Sequence, residues 1–235
     1  VHFNQKIVFK GEEETEFDKE DPLEGILEDT LKQKKQALIF ANTRPRAESL
    51  AKQSASIIFP RLTNEDKKSL EKIANRIENA LESPTEQCKK LAALVKNGVA
   101  FHHAGLVSRQ RELVEENFRE GLLKVISSTP TLAAGINLPA FRVVITSLHR
   151  FDFSGMVPIP VREYRQMAGR AGRPKYDQSG ESIVLCKHEM DAEDVMRNYI
   201  LGEMEKVESK LGVQPVLRMH VLALIASQFI FDTQT

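Results

Sequence analysis

Apolar residues along the chain follow two rhythms that replace one another in turn. Short continuous runs, QALIFA at Gln36–Ala41, VAFHH from Val99, LLKVISST, FRVVITSL and ESIVLC, have the length and β-branched content of strands covered on both faces. Between these runs the apolar positions recur every three to four residues. Leu23, Ile26, Leu27 and Leu31 set such a stripe after Pro22, which a first helical turn tolerates, and the lysine-rich KQKK beyond suits the negative end of a helix dipole. Further helices are expected over Arg46–Ile58, Asn64–Leu81, Pro84–Lys96, stopped by Asn97 and Gly98, and Ser108–Glu120, closed by Gly121. Ahead of them all, VHFNQKIVF alternates as an edge strand would, whereas the acidic GEEETEFDKED reads as a loop or linker.

Strands that alternate with helices imply an α/β fold, a mostly parallel sheet with helices on both faces and right-handed crossovers. Ligands of such sheets gather at the carboxyl edge of the strands. Beyond the sheet, Asp191–Lys210 is strongly helical and charged, and Leu211–Ile230 is rich in Val, Leu, Ile and Phe with no sheet partner in view. The expected division is one domain over residues 1–200, then a linker and the start of a second, truncated domain over residues 201–235.

Composition narrows the function classes. A hydrophobic content of 41% over 235 residues supports a well-buried core and excludes a disordered chain. Lys and Arg number 33, as do Asp and Glu, so nucleic acid could be held only by a local basic patch, not by a global field. Cys88 and Cys186 have neither metal-like spacing nor the number for a disulfide framework, and the histidines form no ligand constellation, so no metal site is expected. With no long apolar run and no leader pattern, the expectation is a soluble intracellular protein with no membrane partner.

Four segments bear candidate chemistry. In YRQMAGRAGRP, Tyr164–Pro174, the polar heads of Gln166, Arg170 and Arg173 stand at offsets of four and three, on one face if the segment is helical. Two guanidiniums beside Gly169 and Gly172 suit a polyphosphate; the alternative is a solvated basic face, against which stand the glycines, each costing about 1 kcal/mol inside a helix. SSTPTLAAGINLPA, Ser127–Ala140, offers Thr129, Thr131 and turn amides to an anion, or is simply a capped helix. FANTR places Asn42, Thr43 and Arg44 after a strand, and HHAGLVSRQR places His102, His103 and Arg109 after another, with His102 read as a buried histidine beside a helix cap. All four fall at strand carboxyl ends on this reading, and so would converge on one face.

In that order, FANTR, HHAGL, STPTLAAGINLP and QMAGRAGRP resemble motifs four to six of superfamily-two helicases, and the form GINLPA points to the Ski-like branch. LHRFDFSGMVPIPVREYRQMAGRAGRP, with NYILGEMEKVESKLGVQPVLRMHVLALIAS after it, is similar to the archaeal Hjm-type DNA helicases, relatives of the helicase portion of DNA polymerase theta. The resemblance implies a second RecA-like motor domain followed by the start of a winged-helix domain. It implies ATP with Mg2+ as cofactor, met by Arg170 and Arg173, Arg173 as arginine finger, with Gln166 coupling the site and Gly135 and Asn137 touching the nucleotide. Thr43, Arg44, His103, Arg109, Thr129 and Thr131 would hold a single-strand backbone.

The same resemblance makes Ser147–Arg162 a strand-separating hairpin with its tip near Gly155 and with Phe151, Phe153 and Met156 stacked on the last base pair; the alternative is an ordinary half-buried hairpin. Pro158 and Pro160 would stiffen its return strand. No Gly-x-x-x-x-Gly-Lys-Ser/Thr or Asp-Glu-x-His segment occurs, so these residues alone are expected not to hydrolyse ATP without a preceding motor domain. The implied whole is a monomeric, chromosome-associated enzyme that unwinds forked or branched DNA 3'-to-5' in repair or fork restart. An RNA helicase of the Ski or spliceosomal type, or a catalytically silent nucleic-acid-binding module, are the competing expectations.

Overall fold

The computed structural model describes residues 5–9, 13–17, 21–130, 138–153, 155–173, 177, 179–186, 189–206 and 214–229. The chain divides into two compact units, Val1–Glu203 and Met204–Thr235. In the first, the apolar runs become β3 (Ala37–Phe40), β4 (Val99–His102), β5 (Val125–Ser128), β6 (Arg142–Ile145) and β9 (Glu181–Val184), joined as one five-stranded sheet in the order β4-β5-β3-β6-β9. Every pairing in it is parallel, and all residues of β3, β4, β5 and β6 are buried, as expected of mainly apolar runs in a sheet covered on both faces.

Helices α1 (Pro22–Lys32), α2 (Arg44–Ile58), α3 (Asn64–Glu78), α4 (Glu86–Lys96) and α5 (Ser108–Arg119) cover the sheet. Threonines fix three of their starts: Thr43, Thr63 and Thr85 each accept a backbone N–H three residues on, and Asp66 returns the bond to Thr63 in a capping box. These caps put the start of α2 at Arg44 instead of Arg46, and that of α4 at Glu86 instead of Pro84. The acidic stretch expected as a loop instead contributes β2 (Glu13–Phe17), paired antiparallel with β1 (Gln5–Phe9). Acidity is no bar to pairing, because the ladder is made by backbone groups.

After β6 the chain forms a hairpin, β7 (His149–Asp152) with β8 (Gly155–Pro158), and then α6 (Val161–Ala168). Tyr164 and Met167 of α6 are buried. The charged tail is helical over Glu189–Val195, widens to a π-helical turn at Met196–Ile200 and stops, short of the helix expected through Lys210. Any side chain at Gly202 would place its Cβ 2.0 Å from the Asn198 carbonyl oxygen, so only glycine permits this ending. In the second unit the described helix is α8 (Gln214–Ala226), α7 being Glu189–Val195.

Among the buried polar residues, Arg142 brings a full charge into the core. Arg142 opens β6 yet is only 2% exposed. Its Nη2 reaches Asp29 at 2.9 Å, its Nε donates to Glu181 at 2.7 Å, and its Nη1 donates to the Ile26 carbonyl at 3.0 Å and Thr30 Oγ1 at 2.8 Å. The guanidinium thereby ties α1 to β6 and β9 with its buried donors satisfied. Substituting Arg142→Ala is expected to lower unfolding free energy by about 3–5 kcal/mol in urea titration, as loss of one partner of a buried pair does, whereas Arg109→Ala, exposed, should change it by less than about 0.5 kcal/mol.

Candidate nucleic-acid and nucleotide edges

At the carboxyl edge, the exits of β3, β4 and β5 lie side by side: the Ala41 amide donates to the Ser128 carbonyl at 2.8 Å and the Thr129 amide to that of His102 at 3.3 Å. Thr43 and Arg44 are exposed here, although the Thr43 hydroxyl also caps α2 by accepting the Arg46 N–H at 3.3 Å. Arg109 is exposed on the first turn of α5 and pairs with Glu112 at 3.3 Å. Thr129 is half-buried. Thr131, Gly135 and Asn137 lie outside the described residues.

His103 corrects the expectation of a backbone contact. Its side chain is 2% exposed, stacked on Phe101 with centroids 5.2 Å apart, its Nδ1 accepting the Gly105 N–H at 3.1 Å and its Nε2 facing Glu48 Oε1 at 3.4 Å. An Nδ1 that accepts must be unprotonated, so the ring is a neutral Nε2–H tautomer that shapes the loop and does not itself reach a phosphate. His102 is buried as expected and bonds Glu115 through Nε2 at 3.0 Å, while its buried Nδ1 has no hydrogen-bond partner. Burial holds both imidazoles below their ordinary value, against the opposing pull of Glu115 and Glu48.

The hairpin leaves the same edge. Asn42 Nδ2 donates to the His149 carbonyl at 3.4 Å, the Ile159 amide to that of Leu148 at 2.8 Å, and the Tyr199 hydroxyl to that of Ile159 at 2.8 Å, so the base is clasped. Arg150 and Glu163 pair at 2.7 Å beside it. The arm beyond is unpacked: Phe151 is 77% exposed and Phe153 fully so, Met156 stands opposite Phe151 in the ladder and is also exposed, and Gly155 turns the tip at φ +111°. Packing against the core therefore does not account for these apolar residues.

The arginine segment does not join them. Because α6 runs back from the hairpin, it delivers Arg170 and Arg173 to the amino edge, the end opposite to the one expected. The Ala140 amide donates to the Arg170 carbonyl at 3.0 Å and the Gly172 amide to that of Ala140 at 2.6 Å, just ahead of β6. The shared helical face is also corrected: α6 ends at Ala168, so Gln166 lies on it, exposed, while both arginines lie beyond its end. Gly172 has φ +89° with Gly180 backbone packed on its open side, which gives that glycine a structural reason.

Arg173 is half-buried and held by groups that no motif in the sequence singles out. Its Nε and Nη2 donate to Asp177 at 2.8 and 3.3 Å, its own amide to Asp177 at 3.1 Å, and its Nη1 to Gln36 Oε1. Lys35 completes the cluster by pairing with Asp177. Hydrogen bonds from Arg173 and Lys35 overcome burial and hold the Asp177 carboxyl well below the usual range, at about 2. Among the described residues no group of three or more His, Cys, Asp or Glu side chains is placed to hold a metal. The cations of this cluster are the Arg173 guanidinium and the Lys35 ammonium, both paired with Asp177.

Comparison with known proteins gives this geometry a family. The helicase conserved C-terminal domain family matches residues 18–175, a span holding β3 to α6 and both arginines. The chain belongs to that family. It is 45% identical over 231 residues, 97% of its length, to the ATP-dependent DNA helicase Hel308 of Methanocella arvoryzae. It is 44% identical over 225 residues, 96% of its length, to the protein of that name from Pyrococcus horikoshii, and 46% over 204 residues, 87%, to that from Pyrococcus abyssi. The chain spans 31%, 30% and 28% of those three relatives, respectively. For this helicase C-terminal domain, the α/β reading with a parallel sheet is the architecture observed.

The two buried histidines set an acid limit for this domain. Unfolded, each would take up a proton near its ordinary value of 6.5; folded, each does so only at lower pH. Their contribution is therefore fully present above pH 6.5 and is lost as pH falls below it. Thermal unfolding followed from about pH 8 to pH 5 should show a falling midpoint below this value, and a midpoint that is flat or rises on acidification would contradict the neutral, buried assignment.

Proposed function

We propose that this chain is the second motor domain of an ATP-dependent DNA helicase, working with its two sheet edges on two different ligands. Arg170 and Arg173, at the amino edge, reach the phosphates of ATP held mainly, with its Mg2+, by a preceding motor domain. Gln166, Gly135 and Asn137 complete this side. At the carboxyl edge, Thr43, Arg44, Arg109, Thr129 and Thr131 hold the backbone of single-stranded DNA, with His103 acting behind them as the ring that shapes their loop. Phe151, Phe153 and Met156 meet the last base pair of a fork. The exposed hairpin beside those loops is the observation that carries the reading, because a packed hairpin would bury its phenylalanines.

The division of work follows from chemistry. ATP, when bound, supplies the phosphoanhydride and a triphosphate whose charge builds on transfer; the chain supplies fixed guanidiniums, which stabilise that charge without a proton transfer. Phosphate-backbone contacts set position without reading sequence, so the carboxyl edge suits a motor that moves over any sequence. Forked or branched DNA, 3'-to-5' movement, repair and restart of stalled forks, association with the chromosome and a monomeric protein with a winged-helix domain after residue 200 belong to this same proposal. Relatives named as DNA helicases at 44–46% identity support it.

In a protein in which the chain follows a motor domain bearing the phosphate loop, Arg173→Ala should lower kcat for ATP about a thousandfold while leaving affinity for single-stranded DNA unchanged. Retention of turnover would remove Arg173 from the nucleotide site. Phe151→Ala with Phe153→Ala should reduce unwinding of a forked duplex and keep DNA-stimulated ATP hydrolysis, with unfolding stability shifted by less than about 0.5 kcal/mol because both rings are exposed. A large loss of stability instead would return the hairpin to a packing role.

A further inference from the structure

We propose that Asp177 and Gln36 are positioning residues that set the plane of the Arg173 guanidinium for the nucleotide phosphates. This rests on the reading that Arg173 faces them. A guanidinium is useful to a phosphate only when its planar fork is aimed, and a long arginine side chain otherwise samples many rotamers. Here one carboxylate takes the Nε–Nη2 edge and also the residue's own backbone amide, so Asp177 fixes the chain and the fork of Arg173 together. Its side chain is 1% exposed, and water therefore does not loosen the grip.

Gln36 fixes the third direction. Its Nε2 donates to the carbonyls of Phe118 and Leu123, each at 2.6 Å, which decides the orientation of the amide and leaves Oε1 toward Arg173 Nη1. The residue stands directly before β3 and is buried, so the fork is referenced to the sheet itself. Lys35 pairs with the same carboxylate, so Asp177 is shared between two cations.

The test uses the same two-domain protein, with ATP turnover, KM for ATP, single-strand affinity and thermal midpoint read for Asp177→Asn, Asp177→Glu, Arg173→Ala and the double variant Arg173→Ala with Asp177→Asn. Asp177→Asn should lower kcat about tenfold or more with KM changed less than about twofold, since small misplacement of an aimed group is felt mainly in the transition state. Asp177→Glu keeps the charge but moves the carboxylate by one methylene, and should lose kcat similarly at nearly the parent thermal midpoint, a split that a structural ion pair does not give. It decides the matter if Asp177→Asn fails to fold. The double variant should turn over no more slowly than Arg173→Ala alone. Parent-like kcat in both Asp177 variants, or losses that multiply in the double variant, overturn the positioning role while Arg173→Ala remains inactive; parent-like kcat in Arg173→Ala would instead overturn the nucleotide reading beneath it.

Discussion

In a parallel sheet each strand leaves at one edge and the next must begin at the other, so every connection has to carry the chain back across the layer. That constraint organises this molecule. Strands of four residues span about 13 Å, and the eight-residue helix α6 returns over about the same distance, 12 Å. Segments that stand at strand exits therefore face one direction, and a segment at the end of a returning helix faces the other. The Thr43, His103 and Thr129 loops and the hairpin fall in the first class; Arg170 and Arg173 fall in the second. On the proposed reading, the two ligands meet one sheet at opposite edges and do not compete for the same surface.

Buried ions fix the geometry of the amino edge. Arg142 joins α1, β6 and β9, and the cluster of Lys35, Arg173, Asp177 and Gln36 lies at the same end of the strands. Each charge has an opposite partner and directional bonds, the condition under which such burial is tolerated. Phe141 separates the two groups, with Lys35 Nζ 5.4 Å and the Arg142 guanidinium 5.5 Å from its ring centre. The carboxyl edge is arranged otherwise: its two histidines are buried, whereas Arg44 and Arg109 are exposed.

Much of this was legible in the sequence. All five strands of the main sheet stand in mainly apolar runs, and α2 to α5 in stripes of helical spacing, because burial on two faces and on one face leave different periods. β2 was not legible, since backbone pairing leaves no apolar trace in EETEF. The site was legible as a set of motifs but not as an arrangement. Adjacency to strands in sequence suggested a single convergent face, and the direction of α6 broke it. Spacing of Arg170 and Arg173 implied a shared helical face, which the stop at Ala168 denied. His103 looked like a ligand because its sequence cannot show that Phe101 and Gly105 enclose it. Asp177 and Gln36 gave no signal, as 141 positions separate them, and they come together through Arg173 and through the pairing of Lys35 with Asp177.

The division of the sheet into two working edges is tested most directly by amide hydrogen exchange of the two-domain protein, with and without single-stranded DNA and with no nucleotide present. DNA alone should protect residues 42–46, 103–109 and the hairpin at 149–158 while leaving exchange at 138–142 and 170–173 unchanged. Protection at the arginine segment equal to that at the carboxyl-edge loops would contradict the two-edge arrangement, because it would place the nucleic acid where the nucleotide is proposed to sit.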